Sequence, residues 1–145
     1  MKAVIQRVLS ASVEVNGKTV GKCGKGYLVL LGVENGDGEE DAELLARKTA
    51  LLRVFCDENG KMNKSVLDID GEILAISQFT LCADVKKGNR PSFTDAMEPR
   101  NAEKLYGAYC EYLKKCGVRS VQKGIFGADM KVSLVNDGPV TILFD

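Results

Sequence analysis

Two short segments carry small polar groups at the edge of apolar runs: Ser77-Gln78-Phe79-Thr80-Leu81 and Asn136-Asp137-Gly138-Pro139-Val140-Thr141. The first places two hydroxyls, an amide and an aromatic ring at the end of a strand-like stretch. A strand-end hydroxyl can attack an ester, so Thr80 is a candidate nucleophile, with Ser77 and Gln78 as candidate pocket donors. Phe79 between them reads first as packing. The second segment interrupts a strand-like C-terminus with Gly138-Pro139, a pair that leaves a gap in a sheet ladder because proline has no N–H. It predicts a bent backbone that presents carbonyls and amides to something other than the sheet. On sequence alone the Gly138–Pro139 bond is expected trans, since only about one X-Pro bond in twenty is cis in folded proteins.

The chain has no histidine. That removes Ser-His-Asp and Cys-His relays, a histidine general acid and a histidine metal cluster. Thr80 as nucleophile would then need another base, and a lysine serves only when burial lowers its pKa. Two roles for Thr80 stay open: attacking group, or β-branched strand residue whose hydroxyl orients a neighbour. In the second case orientation and backbone amides near Phe79 and Thr80 would do the work, the amides acting as an oxyanion hole.

Five cysteines (Cys23, Cys56, Cys82, Cys110, Cys116) show no CxxC spacing. The odd count and the lack of a signal-peptide pattern argue for reduced thiols in a cytoplasmic protein. No metal site and no cofactor is expected. Twenty Lys+Arg balance twenty Asp+Glu, so any nucleic-acid contact must be local. The densest basic cluster is Lys86, Lys87 and Arg90, which suits either phosphate contact or a solvated loop. Arg7, set among apolar residues, needs a partner or a route to the surface.

These groups need a scaffold. Lys2 to Val8 and Ala11 to Val15 alternate as strands, and Asn16-Gly17 is a hairpin signal leading into Lys18 to Cys23. Tyr27 to Val33 is a continuous apolar strand after a turn at Gly24 to Gly26. Asp37 and Glu40 have the spacing of a helix cap and its reciprocal partner, opening a helix that runs to about Leu52. Leu44, Leu45, Lys48, Leu51 and Leu52 share one side of it. Arg53 to Cys56 and Glu72 to Phe79 read as further strands, and Asp84 to Asp95 as a polar loop. A second helix starts at Pro99 and stops before Gly117, with Leu105, Tyr109, Tyr112, Leu113 and Cys116 on one face. Val118 to Gln122, Lys131 to Val135 and Val140 to Phe144 complete the strands. The order predicts one α+β domain over residues 1–145: a strongly curved, barrel-like antiparallel or mixed sheet with two helices packed outside. No stretch is long and apolar enough to span a bilayer. The chain is expected to begin and end with this domain.

Taken together, the two polar segments resemble the SQFTL-type and N-x-G-P-V-T motifs of the D-aminoacyl-tRNA deacylase family. Ala3 to Val8, Gly26 to Gly32, Arg90-Pro91-Ser92-Phe93 and Phe126-Gly127-Ala128-Asp129-Met130 also resemble stretches of that family. The resemblance implies a cytosolic homodimer that hydrolyses the ester joining a D-amino acid, or glycine, to the 3′-terminal ribose of tRNA. It implies that Gly138–Pro139 is cis and enters the active site of the partner subunit, where its carbonyls crowd the side on which an L side chain would project. It places Phe79 in the pocket and gives Arg7 and Asn136 the support of the Gly-Pro segment; Lys86, Lys87 and Arg90, by their own place in the loop just past Thr80, suit the phosphates of the CCA end or a solvated loop. It further implies chemistry assisted by the vicinal 2′-hydroxyl of the RNA. Cys82 stands where many relatives carry an aromatic residue, which leaves the pocket shape beside Leu81 open. Two other readings compete: a non-catalytic RNA-binding module of the same fold, and a hydrolase of free amino-acid esters.

Overall fold

A computed structural model describes residues 1–145. Its strands are β1 (Lys2–Val15), β2 (Lys18–Cys23), β3 (Gly26–Gly32), β4 (Phe55–Cys56), β5 (Met62–Lys64), β6 (Glu72–Ser77), β7 (Ser120–Lys123) and β8 (Lys131–Phe144). The helices are α1 (Glu39–Leu51) and α2 (Pro99–Lys115), and a single 3-10 turn covers Phe79–Cys82. No helix is long and apolar enough to cross a membrane.

The main sheet runs β2-β1-β3-β6-β7. β1 pairs antiparallel with β2 and β3, while β3–β6 and β6–β7 are parallel. The sheet curls until its end strands meet, with Lys22 N–H donating to Gln122 Oε1 at 2.8 Å across β2 and β7. β8 lies outside this curl, paired along the other edge of β1. This is the mixed, barrel-like α+β architecture expected from the sequence.

Period-two alternation sorts side chains into two cores. Tyr27, Val29 and Leu31 of β3, with Ile73 and Ala75 of β6, face the helices. Leu28, Leu74 and Ile76 point the other way, into the barrel, where Val8, Ala11, Val13 and Cys23 meet them. Each fully buried Leu, Ile or Val of this kind contributes about 1.5–3 kcal/mol.

The helices bury narrower stripes than the apolar pattern suggested. α1 buries Ala42, Leu45, Ala46, Thr49 and Ala50, while Leu44 and Leu51 are exposed. Small residues at four-residue spacing let α1 approach α2 closely, and Thr49 Oγ1 meets Tyr109 Oη at 3.0 Å in the seam. The cap differs as well: Gly38 caps α1, its N–H held by Asp41 Oδ2 at 2.8 Å. Asp37 instead accepts from Glu34 N–H and from the Met1 ammonium. α2 buries Ala102, Tyr106, Tyr109, Cys110 and Leu113. Tyr106 fits because its hydroxyl donates to Ala75 O at 2.6 Å.

Three strand boundaries also differ. The two pieces expected within Lys2–Val15 form one 14-residue strand. The hairpin β4–β5 uses Met62–Lys64, which carried no alternation. β6 ends at Ser77, so the polar segment that follows is a turn and not a strand end.

Candidate active site

Residues after Ser77 leave the sheet because Gln78 N–H still reaches Leu31 O, at 2.7 Å, while the next residues wind into the 3-10 turn. Cys82 is the buried side chain of that turn, its Sγ 3.5 Å from Val33 O. Gly32 leaves the space: a Cβ there would lie 3.2 Å from Cys82 Sγ. Burial pushes the Cys82 thiol pKa up, so Cys82 anchors the turn as a protonated group. The shape beside Leu81 is thus set by a small buried thiol.

The turn borders a cleft of about 360 Å³. Ser77 and Phe79 line it, opposite Phe93, Met97, Glu98 and Phe126. The rings of Phe79 and Phe93 meet edge to face with centroids 5.1 Å apart, and both are partly exposed at the mouth. The 84–95 loop carries Phe93 there. Its base is closed by Asp84 and Ser92, which exchange backbone hydrogen bonds of 2.8 and 2.9 Å, and by Asn35 Nδ2 donating to Thr94 O. Gln78 and Thr80 do not line the cleft. Gln78 Nε2 donates to Thr80 Oγ1, and an amide is no base. Lys86, Lys87 and Arg90 stand exposed on the same loop as Phe93 and belong to none of the chain's ion pairs.

The second segment is a bulge. β8 runs on through Gly138–Pro139, but its register to β1 jumps from Val8↔Asn136 to Gln6↔Thr141, so Asp137 to Val140 loop out opposite Arg7. One strand with a bulge replaces the two expected C-terminal strands. The Gly138–Pro139 peptide is cis, and both residues are exposed. Two residues hold the bulge from below. Arg7 Nε donates to Asp137 O at 2.9 Å and Arg7 Nη1 to Val54 O at 2.6 Å. Asn136 Oδ1 accepts from Val140 N–H, and Asn136 Nδ2 donates to Thr141 Oγ1.

The two segments do not meet within one chain. Ser77 is level with Leu31 and Ala3, whereas the bulge is level with Arg7. Strand spacings of about 4.8 Å across β8, β1, β3 and β6, with rungs of about 3.3 Å, put them about 20 Å apart.

Sequence reasoning passed over Met97, Glu98 and Phe126 as site residues. The available signal was the likeness of Arg90–Phe93 and Phe126–Met130 to family stretches; Met97 and Glu98 had none, since a cleft assembled from separate segments leaves no spacing to read.

Comparison with known proteins follows the same lines. Residues 4–145 match the family model described as D-Tyr-tRNA(Tyr) deacylase. A D-aminoacyl-tRNA deacylase of Magnetococcus marinus is 57% identical over 145 residues, covering 100% of this chain and 96% of that protein. One of Thermosipho africanus is also 57% identical, covering 100% and 97%. Among solved structures, the c-Myc DNA Unwinding Element Binding Protein is 47% identical with a TM-score of 0.94, over 100% of this chain and 98% of that one. A probable eukaryotic D-amino acid tRNA deacylase shares the fold at a TM-score of 0.81 and 18% identity, covering 99% and 97%. Matched from end to end in sequence and in fold, the chain belongs to the D-Tyr-tRNA(Tyr) deacylase family.

Proposed function

We propose that this protein hydrolyses the ester of D-aminoacyl-tRNA in the cytoplasm, releasing the D-amino acid and free tRNA. The observation that carries this reading is the full-length identity to D-aminoacyl-tRNA deacylases, with both polar segments intact. The aromatic mouth formed by Phe79 and Phe93 suits an unstacked 3′ end. The unpaired cations of Lys86, Lys87 and Arg90 on the adjoining loop suit its phosphates.

Thr80 has no base beside it, which favours water as the attacking group. The water oxygen bonds to the ester carbonyl carbon, and the backbone N–H of Phe79, where the turn borders the cleft, stabilises the oxyanion. The C–O3′ bond then breaks, and the proton lost by the water passes through the vicinal 2′-hydroxyl to the 3′ oxygen. Gln78 orients Thr80, and Ser77 offers its hydroxyl to the bound group.

Chirality is read by bulk. The exposed Gly138–Pro139 segment is rigidly held and about 20 Å from Ser77 of its own chain, so on this reading it serves the cleft of a second copy. A homodimer is favoured by β8, an edge strand unpaired along its outer side, and by Val4, Leu30 and Leu143, neighbours in one row on a sheet face that no helix covers. A wall of main-chain carbonyls excludes an L side chain by clash and admits D side chains. Glycine passes the same wall, which makes glycyl-tRNA a second substrate.

The test is hydrolysis of D-tyrosyl-, L-tyrosyl- and glycyl-tRNA side by side. Cleavage of the D and glycyl forms with the L form intact is expected, from a species of twice 15.7 kDa in sedimentation. Comparable cleavage of the L form overturns the chirality reading. Thr80→Ala is expected to keep activity within about tenfold, the cost of one lost orienting hydrogen bond. Inactive Thr80→Ala that still binds tRNA would restore the covalent route. A second reading is nucleic-acid binding without turnover. It is favoured by the 47% identical c-Myc DNA Unwinding Element Binding Protein, a protein named for binding a DNA element. Absence of cleavage in all three assays would support it.

A further inference from the structure

Tyr27 of β3 is wholly buried, its ring tilted against Phe55 with centroids 5.2 Å apart. Its hydroxyl leaves that apolar setting for an irregular stretch of main chain, donating to Leu52 O at 3.2 Å. Burial pushes the phenol pKa up, so the group remains a donor. Segment 52–54 links α1 to β4 and belongs to neither. Leu52 ends the helix in extended backbone, φ −60° and ψ 128°, without the glycine turn that brings N–H groups to the last carbonyls. No backbone N–H reaches Leu52 O or Val54 O. Two side chains take their place: Tyr27 on Leu52 O, and Arg7 Nη1 on Val54 O at 2.6 Å. Arg7 and Tyr27 are register partners in the antiparallel β1–β3 pair, so they stand side by side on one face. Arg7 also reaches onward. Its Nε donates to Asp137 O, and its Nη2 would lie 2.9 Å from a Cβ on Gly138. Contacts therefore run unbroken from the Tyr27 hydroxyl, through segment 52–54 and the guanidinium, to the Gly138–Pro139 bulge. Planar peptides leave so short a segment few free dihedrals, so holding Leu52 O fixes where Val54 O sits.

We infer that Tyr27 is a positioning residue for the chirality filter, holding segment 52–54 so that Arg7 keeps the Gly138–Pro139 bulge at its working height. The inference rests on the reading of that bulge as the wall against L side chains. It adds to that reading a residue from outside both polar segments, which acts only through Arg7 and touches no substrate.

The experiment measures kcat/KM on D-tyrosyl- and L-tyrosyl-tRNA for the unaltered protein, Tyr27→Phe, Arg7→Ala and the double variant. Tyr27→Phe removes one oxygen and keeps the ring on Phe55, so the core stays filled. It is expected to narrow the D-to-L ratio by about three- to tenfold, the range of one neutral hydrogen bond. In the Arg7→Ala background the same substitution is expected to move the ratio by less than about twofold, since the relay is already cut. Tyr109→Phe is the control for lost stability. Its hydroxyl is equally buried and meets Thr49 Oγ1, which keeps its own bond to Leu45 O. There the ratio is expected to stay within about twofold of the unaltered protein. An unchanged ratio in Tyr27→Phe, beside a narrowed one in Arg7→Ala, overturns the inference and leaves the wall reading standing. The same narrowing by Tyr27→Phe with and without Arg7, or in Tyr109→Phe, also overturns it. Equal cleavage of both hands by the unaltered protein overturns the wall reading and the inference together.

Discussion

Gly26→Ala is expected to leave the chain without a stable native fold. Gly26 has φ +155°, in a region that residues with a Cβ rarely occupy. A methyl group there would lie 1.8 Å from Glu72 O and 2.7 Å from Glu72 N. Neither contact can be relieved by turning a side chain, because both atoms are backbone. Gly26↔Glu72 is also the first rung of the parallel β3–β6 pair, and the same junction is tied by Glu72 N–H to Lys25 O and Gly24 N–H to Glu72 Oε1. Moving Glu72 away therefore opens the centre of the sheet, where Tyr27, Leu28, Ile73 and Leu74 are all buried. The cost is above about 4 kcal/mol, in the rare severe class, against a total stability of about 5–15 kcal/mol. At this chain length that is a fall of at least about 10–15 °C in Tm, read by thermal circular dichroism, or insoluble protein. An unchanged Tm would mean that β3 and β6 pair in another register.

Such a position is half legible in sequence. Gly24 to Gly26 marks a turn, but a turn signal says nothing of which distant strand presses on it. The same boundary runs through the rest of the molecule. Continuous apolar runs such as Tyr27–Leu31 were readable because strands buried on both faces leave no polar positions. The helix stripes were misjudged because hydrophobicity was weighed by size: Leu44 and Leu51 looked like core, yet α1 turns Ala42, Ala46 and Ala50 to α2, where closeness matters more than bulk. The break at Gly138-Pro139 was legible as a bend, since proline removes a ladder hydrogen bond. Its form, a four-residue bulge opposite one arginine in an otherwise unbroken strand, depends on pairing across 130 residues of sequence. The cleft was least legible of all. Ser77 and Phe79 came from one motif, but Phe93, Glu98 and Phe126 reach it from a loop, a helix cap and a bend.

Arg7→Ala is expected to cost both stability and chirality discrimination. The guanidinium is 11% exposed and bridges two carbonyls, Asp137 O in the bulge and Val54 O after α1. Asp137 Oδ2 adds a weaker ion pair at 3.8 Å. Truncation leaves both carbonyls without their donor in a half-buried setting, about 1–3 kcal/mol for each, which predicts a fall of about 5–20 °C in Tm. Above the guanidinium sits Gly138, where a Cβ would come within 2.9 Å of Arg7 Nη2. The arginine plane is thus the floor on which the Gly-Pro segment rests. Without it the segment has only Asn136 to fix its height, and on the proposed reading of this segment as the chirality wall, a drop of an ångström no longer separates two hands of a substrate. Arg7→Ala is therefore expected to lower the rate on D-tyrosyl-tRNA by about a hundredfold, as misplacement on that scale does, and to narrow the D-to-L ratio. Arg7→Lys should recover part of the Tm and little of the ratio, because one ammonium lacks the planar fork that spans two carbonyls. The same D-to-L ratio in Arg7→Ala as in the unaltered protein, at reduced Tm, would assign Arg7 to stability alone and place the chirality filter elsewhere in the cleft.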